Sequence, residues 1–170
     1  MATAVRGDAV GGEGVEAKPF LWAAVFCGAR RGSDPAFAAA AAELGRELLA
    51  RGLGLVYGGS TLGLMGEVGL AMREGGGALL GVTTEDIDIF AQTVSSELLP
   101  ETVVQKDAQA CRTVMVERAD FFVCLPGGSG TLAELCVTSD SFTAPCVKAK
   151  PVGVLNIGTT PRRGWGRRVH

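Results

Sequence analysis

One segment of the sequence combines residues that could bind a phosphate with a residue that could act on a bond. It reads PGGSGTLAE, from Pro126 to Glu134, and it directly follows the apolar run FFVCL. Its three glycines allow the backbone to come close to a ligand and to expose N–H groups. If a helix begins here, the helix N-terminus also attracts anions. The segment therefore favours a phosphate-binding turn that is followed by a single carboxylate.

Two structural alternatives remain open for the same segment. Thr131 and Glu134 have the spacing of a capping box, in which the glutamate would only satisfy the backbone N–H of the threonine. A glycine-rich turn between a strand and a helix can also serve packing alone. The segment is neither a Walker A loop, because no GK[ST] follows, nor a GxGxxG turn.

A second glycine loop, YGGSTLGLMG, occupies residues 57–66 and contains Gly58 and Gly59. It could form another side of a site for an anionic ligand, or it could be a plain packing turn. Arg30 and Arg31 follow the first apolar run of the chain and could add positive charge to such a site. For these two arginines, a solvated surface pair is the favoured interpretation.

The overall composition limits the chemistry that the chain can perform. A chain of 170 residues, 47% of them hydrophobic and 20% charged, suits one globular domain with a real core. The net charge of −2 gives no sign of a nucleic-acid partner. The only histidine is His170, which argues against Ser-His-Asp catalysis, Cys-His catalysis and multi-histidine metal sites. We expect no bound metal.

The cysteines and the N-terminal segment bear on the compartment. The cysteines number five, none forms a CxxC pair, and three lie in or beside apolar runs, which favours a reducing environment. Residues 1–18 lack the apolar core of a secretory signal. No apolar run is long enough to span a bilayer. We therefore expect a cytoplasmic protein without a membrane partner.

Strand and helix patterns alternate along the chain. Apolar runs predict strands at 20–27, 53–57, 78–82, 102–104, 121–125 and 151–157; helical patterns occupy 34–52, 64–76, 108–119 and 131–142. Strands that are apolar throughout and separated by helices indicate an α/β fold with a Rossmann-like, doubly wound parallel sheet. Ligands bind such sheets at the carboxyl ends of the strands, where the glycine loops fall.

We expect a single domain over residues 19–157. The predicted flanks are a disordered N-terminal extension, 1–18, and an atypical basic tail, 158–170.

The two glycine loops together resemble a known family. VYGGSTLGLMG and LPGGSGTLAEL are similar to motifs of the LONELY GUY proteins, which are cytokinin riboside 5'-monophosphate phosphoribohydrolases, and the resemblance runs from about Phe20 to Ile157. It implies a Rossmann-like homodimer that hydrolyses the N-glycosidic bond of N6-modified adenosine 5'-monophosphate. The implied products are the free base and ribose 5-phosphate, and no metal, PLP or nicotinamide is needed.

The resemblance also implies roles for particular residues. Glu134 matches the essential glutamate of the family, and Gly128 to Thr131 match its phosphate-binding turn. Glu97 lies where the family has a substrate-contacting glutamate, although the segment before it differs in length. The predicted substrate-binding residues are Gly58, Gly59, Glu97, Met115, Gly127, Gly128, Ser129, Gly130 and Thr131.

The chain departs from the family in several places, and two of them bear most directly on function and fold. Where the family has Arg-Lys-x-x-Met, this sequence reads CRTVM, so that Cys111 replaces a catalytically important arginine and Arg112 takes the lysine position. Arg112 is predicted to be catalytic together with Glu134, although it could instead be a solvated helix residue. The basic tail differs completely from the family and would leave apolar surface uncovered.

Two hypotheses follow from these observations. The first is a phosphoribohydrolase, whose activity Cys111 would weaken. The second is a nucleotide-binding protein of the same fold that has lost turnover. A lysine decarboxylase, a label often given to this family, is rejected because none of the four lysines lies in a recognisable PLP-binding context; they are Lys18, Lys106, Lys148 and Lys150.

Overall fold

A computed structural model describes residues 20–84, 101–143 and 150–158, without the side chains of residues 139–143. Within these ranges six strands and four helices alternate. In chain order they are β1 (Trp22–Phe26), α1 (Pro35–Ala50), β2 (Gly54–Tyr57), α2 (Gly63–Glu74), β3 (Leu79–Thr84), β4 (Thr102–Gln105), α3 (Ala108–Arg118), β5 (Phe121–Cys124), α4 (Ser129–Thr143) and β6 (Val152–Val154).

All six strands join one parallel sheet in the order β4-β3-β2-β1-β5-β6. Strands β2, β3 and β4 lie in sequence on one side of β1, and β5 and β6 lie on its other side. This arrangement confirms the predicted doubly wound α/β fold. It also creates a topological switch point between β1 and β5, which is where ligands of such sheets bind.

The alternation of side chains along β1 divides the core between the two faces of the sheet. Ala23, Val25 and Cys27 pack with buried residues of α1 and α2. Ala24 and Phe26 point to the opposite face, where they pack with buried residues of α3. Because both faces are covered by helices, the central strands can be apolar throughout.

Side-chain caps explain where two helices begin. Asp34 accepts a 2.9 Å hydrogen bond from the N–H of Ala36, and Pro35 occupies the first turn of α1, as the sequence predicts. Asp107 accepts a 2.7 Å bond from the N–H of Ala110 at the start of α3. The two capped helices flank the loops that form the site.

All ten elements differ from the predicted bounds by one or more residues, and two of these differences bear on the site. β3 continues through Thr83 and Thr84, which pair with β4 and are buried, whereas the sequence suggested an irregular segment from residue 83. β-branched threonines fit this half-polar strand end well. Helix α4 begins at Ser129 rather than at Thr131, and this shift changes the interpretation of Glu134.

Several sequence predictions fall outside the described residues. These are the extension at 1–18, Glu97, and the basic tail beyond Gly158. In the part of the chain that the structure describes, no helix has the length and apolar character needed to cross a bilayer.

Candidate functional site

A cleft of about 620 Å³ opens at the switch point, between the loop after β1 and the loop after β5. Its first wall consists of residues 28–32, and its second wall is the glycine turn, residues 126–131. Glu134 lies at its inner end. The structure therefore brings together the five residues Gly127 to Thr131 and Glu134, which the sequence predicts to form one site.

The glycine turn leads directly into helix α4. The carbonyl of Gly128 accepts the first helical hydrogen bond, 3.1 Å from the N–H of Leu132. The backbone N–H groups at the start of a helix have no carbonyl partner within that helix. The N–H groups of Ser129, Gly130 and Thr131 are therefore available to an anion at the edge of the cleft.

Packing and backbone conformation do not require glycine at positions 128 and 130 among the described residues. A Cβ atom added to either one would meet nothing within 4 Å, and neither has a positive φ. Gly127 differs, because a Cβ there would collide with the side chain of Thr131. Glycine lowers stability inside a helix, so Gly130 has a cost there, and the open space at both glycines leaves their backbone accessible among the described residues.

The second glycine loop is explained largely by packing and backbone conformation. Gly59 is buried with a φ of 71°, and Gly63 has a φ of 60°, so both adopt a conformation that favours glycine. A Cβ at Gly66 would collide with the carbonyl of Thr61. Gly59 lines neither the cleft nor the cavity described next, whereas Gly58 borders that cavity. The packing-turn alternative therefore accounts for most of this loop.

An apolar cavity of about 430 Å³ lies on the other side of Glu134. It shares Ala29, Met65 and Glu134 with the cleft. Its remaining lining residues are Gly58, Ser60, Leu62, Val82, Ala108, Cys111, Arg112 and Met115. Glu134 thus stands at the junction between a region suited to phosphate and a region suited to a flat or apolar group.

The environment of Glu134 makes its carboxyl unusually easy to protonate. Burial raises its pKa from 4.5 to about 7, and the positive charge of nearby Arg112 lowers the pKa only in part. No ion pair within 4 Å joins these two side chains among the described residues. Such a shift in a cleft is a physical marker of a functional carboxyl.

Buried thiols surround this carboxyl. Burial raises the pKa of Cys27, Cys111 and Cys124, and the charge of Glu134 raises each pKa further. The three side chains are therefore neutral and act as small apolar groups, as the sequence predicts for thiols in apolar runs. They contribute to the dry surroundings of Glu134.

The capping-box alternative for Glu134 is wrong. Because α4 begins at Ser129, Thr131 is the third residue of the helix and does not cap it. The buried Thr131 side chain packs against Gly127 instead. Glu134 lies a further turn along the helix, so its carboxylate does not serve the helix end.

Arg112 and Cys111 both border the apolar cavity, although they are neighbours on one helix. The Nη2 atom of Arg112 donates a 3.0 Å hydrogen bond to Oε1 of Gln109. Its Nε atom is buried and has no hydrogen-bond partner in the described residues. A fully solvated arginine would not have a buried donor without a partner, so the surface alternative does not describe Arg112. Met115 is also buried there.

Arg30 and Arg31 line the first wall of the cleft. The side chain of Arg31 is 71% exposed and forms an ion pair with Glu67. The two residues are thus exposed, as the surface interpretation predicts, but they also line the cleft that contains the glycine turn. Their position at the carboxyl end of β1 is the sequence signal that indicates this placement.

Comparison with known proteins identifies the family. The model of the SLOG cluster4 family matches residues 23–163. The chain belongs to the SLOG cluster4 family. Its resemblance to the LONELY GUY proteins is confirmed by curated relatives that carry their enzyme name.

Two of these relatives come from Oryza sativa subsp. japonica and one from Arabidopsis thaliana. A probable cytokinin riboside 5'-monophosphate phosphoribohydrolase of rice is 40% identical over 153 residues, which are 90% of this chain and 64% of that protein. A second probable rice enzyme of this name is 42% identical, over 85% of this chain and 62% of its own length. The Arabidopsis enzyme is 38% identical, over 78% of this chain and 60% of its own length. The chain therefore spans less than two thirds of the length of these relatives.

Solved structures support the SLOG-type fold. The Moco carrier protein of Chlamydomonas reinhardtii superposes with a TM-score of 0.64 at 23% identity, over 80% of this chain and 76% of that one. The molybdenum cofactor binding protein of Rippkaea orientalis superposes with a TM-score of 0.65 at 21% identity, over 84% of this chain and 80% of that one. Identities this low establish the common fold and carry no conclusion about ligands.

Proposed function

We propose that this chain hydrolyses the N-glycosidic bond of adenosine 5'-monophosphate or of its N6-modified forms, to give the free base and ribose 5-phosphate. The observation that carries the proposal is the position of Glu134 between the cleft with the open glycine turn and the apolar cavity. The printed names of the relatives support the same reaction.

The proposed substrate fits the two regions in one orientation. Its 5'-phosphate lies against the N–H groups of the glycine turn, and its base lies in the apolar cavity beyond Glu134. The ribose and the bond to be broken are then held beside the carboxyl. Binding energy from the remote phosphate thereby becomes orientation at the reacting carbon.

The reaction requires two proton movements. When the C1'–N9 bond breaks, its electrons leave with the base, which takes up a proton, and positive charge develops on the ribose as in glycoside hydrolysis. Water then adds to C1' and loses a proton. A carboxyl with a pKa of about 7 is populated in both forms near neutrality, so it can donate or accept a proton and, when ionised, stabilise the sugar cation.

Further residues complete the proposed site. Arg112 lowers the pKa of Glu134, and its buried Nε donor, which has no partner among the described residues, would bind a substrate group. Met115 would pack below the base. Glu97 is proposed as a substrate contact on the resemblance alone. No cofactor or metal is assigned a role in the reaction.

The direct test is incubation of the protein with AMP and with N6-isopentenyl-AMP, followed by chromatographic detection of free base and ribose 5-phosphate. Release of both products in equal amounts from either nucleotide is the expected result. Release of adenosine and inorganic phosphate instead would identify a phosphatase and refute the proposal.

A second candidate is a nucleotide-binding protein without turnover, and Cys111 favours it. The cavity wall holds a neutral thiol where the family resemblance places a catalytic arginine. In this case AMP binds but no base is released, and Cys111→Arg does not restore the reaction.

We also propose a homodimer in the cytoplasm. The dimer is supported by the family resemblance. The cytoplasmic location is supported by the four cysteines in the described residues, all of which are free thiols, as expected in a reducing compartment. Size-exclusion chromatography with light scattering, and imaging of a tagged full chain in cells, test these two statements.

A further inference from the structure

A third and smaller pocket lies between the end of β2 and helix α2. Its volume is about 150 Å³, and among its described lining residues it shares only Arg31 with the cleft and only Ser60 with the apolar cavity. We call it the tyrosine pocket, defined by Tyr57, Gly69 and Arg73, which line it and border neither of the other two spaces. It is therefore a separate space from the site of the proposed reaction.

The hydroxyl group of Tyr57 is a hydrogen-bond donor that has no acceptor among the described residues. The residue is 2% exposed. Burial raises its pKa to about 12, although the positive charge of Arg73 lowers the pKa in part, so the hydroxyl keeps its proton near neutrality. Polar groups this deeply buried are nearly always hydrogen-bonded in folded proteins. An acceptor for the hydroxyl must therefore come from the pocket that Tyr57 lines.

Helix α2 leaves room for this hydroxyl to reach the pocket. The Oη atom of Tyr57 lies against the backbone of Gly69, where an added Cβ would be 2.8 Å from Oη and 3.1 Å from Cζ. A larger residue at position 69 would thus collide with the end of the tyrosine ring. Because Gly69 itself lines the pocket, the hydroxyl is placed at the pocket wall.

Two further donors border the same pocket. Arg73 follows Gly69 by four residues, about one helical turn, and its half-buried side chain makes neither an ion pair nor a hydrogen bond among the described residues. Ser60 is buried, and its Oγ accepts a 3.0 Å hydrogen bond from the N–H of Leu62. The hydroxyl proton of Ser60 has no acceptor among the described residues, so it remains available to a ligand.

The balance of donors and acceptors indicates the charge of that ligand. The acidic side chain that lines the pocket, Glu67, is already paired with Arg31. The hydroxyl and guanidinium groups described above can all donate, and one of them is a cation. Such groups bind carboxylate and phosphate oxygens well. The volume of about 150 Å³ is below the range of about 300–1,000 Å³ that holds a drug-sized ligand, so the ligand is small.

We propose that the tyrosine pocket binds a small oxyanion, a phosphate or a carboxylate, through the hydroxyl groups of Tyr57 and Ser60 and the guanidinium of Arg73. This site is additional to the proposed reaction and does not depend on it.

A single resonance can test this inference, because Tyr57 is the only tyrosine of the chain. Tyrosine that is isotope-labelled at Cζ reports hydrogen bonding at Oη in NMR spectra. The labelled protein is titrated with sodium phosphate and, separately, with sodium acetate, with sodium chloride holding the ionic strength constant. We expect a saturable shift of the resonance with at least one of the two oxyanions, and the tighter of the two identifies the class of ligand.

Two matched variants show whether the bound ion meets the proposed donors. Arg73→Ala should weaken the binding of the responding oxyanion tenfold or more. Arg46 is an exposed arginine on α1 that borders none of the three spaces, and Arg46→Ala should change the affinity less than twofold. Circular dichroism checks that each variant is folded.

Repeating the titration with saturating AMP separates this pocket from the glycine turn. The shift should persist, and its loss would place the ion at the glycine turn and overturn the inference. No shift with either oxyanion, an equal shift with chloride alone, or unchanged affinity in Arg73→Ala would also overturn it. If AMP does not bind, the proposed function fails, and the comparison of Arg73→Ala with Arg46→Ala still decides whether the tyrosine pocket is a site.

Discussion

Replacing Glu134 with glutamine is expected to stabilise the protein while it abolishes turnover. The carboxyl is held in a half-buried site between the cleft and the apolar cavity, where burial raises its pKa from 4.5 to about 7. Glutamine has nearly the same size but cannot ionise. The substitution therefore removes the cost of a buried charge and leaves the packing of α4 unchanged.

The expected gain in the free energy of unfolding increases as the pH rises. The folded-state pKa lies above the unfolded value, so below about pH 4.5 the carboxyl is neutral in both states and has no cost. As pH rises to about 7, the unfolded chain releases the proton first, and the free energy of unfolding of the parent falls by about 1.4 kcal/mol per pH unit. The shift from 4.5 to about 7 sets an upper limit of about 3 kcal/mol, and partial exposure reduces this to about 1–3 kcal/mol.

The assay is urea unfolding of the parent and of Glu134→Gln at pH 5 and pH 8. At pH 8 the variant should be more stable by about 1–3 kcal/mol, and at pH 5 the difference should be smaller, at most about 0.8 kcal/mol. Glu43→Gln, an exposed glutamate on α1, is the control and should stay within about 0.5 kcal/mol at both values. Base release by Glu134→Gln should fall by orders of magnitude.

Three results would refute this reasoning. A variant less stable than the parent at pH 8 would show that the ionised carboxylate stabilises the fold instead of costing free energy. A difference that does not change between pH 5 and pH 8 would show that the carboxyl has no raised pKa. Unchanged turnover at either pH would exclude Glu134 as the reacting group, whatever its effect on stability.

Three further predictions concern the site. Nucleoside 5'-monophosphates should be cleaved much faster than the corresponding nucleosides, and equal rates of base release would contradict a phosphate role for the glycine turn. Cys111→Arg should raise the rate of base release by roughly 10–100-fold, because an arginine contact is worth about 1.5–3 kcal/mol. Arg112→Ala should weaken AMP binding, as measured by calorimetry. If neither substitution has an effect, α3 does not contribute to the site. Gly130→Ala should increase the free energy of unfolding by up to about 1 kcal/mol and should weaken AMP binding. Gly66→Ala is the contrasting variant and should lower the free energy of unfolding by about 1–3 kcal/mol. A loss of stability in Gly130→Ala would show that this glycine has a packing role.

The sheet could be predicted from the sequence because its strands are short, apolar on both faces and separated by helices with recognisable ends. Asp34 and Pro35 mark the start of α1 in the sequence, and the structure confirms the cap. Local signals of this kind depend on residues a few positions apart. They also place the glycine turn at the carboxyl end of β5, next to β1, once the sheet is taken to be doubly wound.

The role of Glu134 could not be settled from the sequence. The spacing of Thr131 and Glu134 is the same whether the helix begins at residue 129 or at residue 131, but only the later start would make a capping box. Helix boundaries depend on tertiary contacts and are uncertain by one or two residues from sequence. Here the first helical hydrogen bond begins at Gly128, which removes the capping role.

The different roles of the two glycine loops also could not be predicted from the sequence. Both follow a strand, both precede a helix, and their sequences look equally suited to a ligand. In the structure Gly63 and Gly66 are required by a left-handed backbone and by close contacts, whereas a Cβ at Gly128 or Gly130 would contact none of the described residues. Only the tertiary surroundings of a glycine distinguish these two cases.

The features that weaken this fold are concentrated at one place. Among the described residues, two glycines in the turn that starts α4 have no packing role, a half-buried carboxyl has a strongly raised pKa, and Arg112 has a buried donor without a partner. Gly130, the carboxyl and the buried donor each cost stability, and alanine, glutamine or an apolar residue, respectively, would remove that cost without disturbing the sheet. Folded chains usually satisfy such local rules except where function requires otherwise. A phosphate on the open N–H groups and a ribosyl bond beside the carboxyl would explain the first two features together, and a substrate acceptor for Arg112 would explain the third.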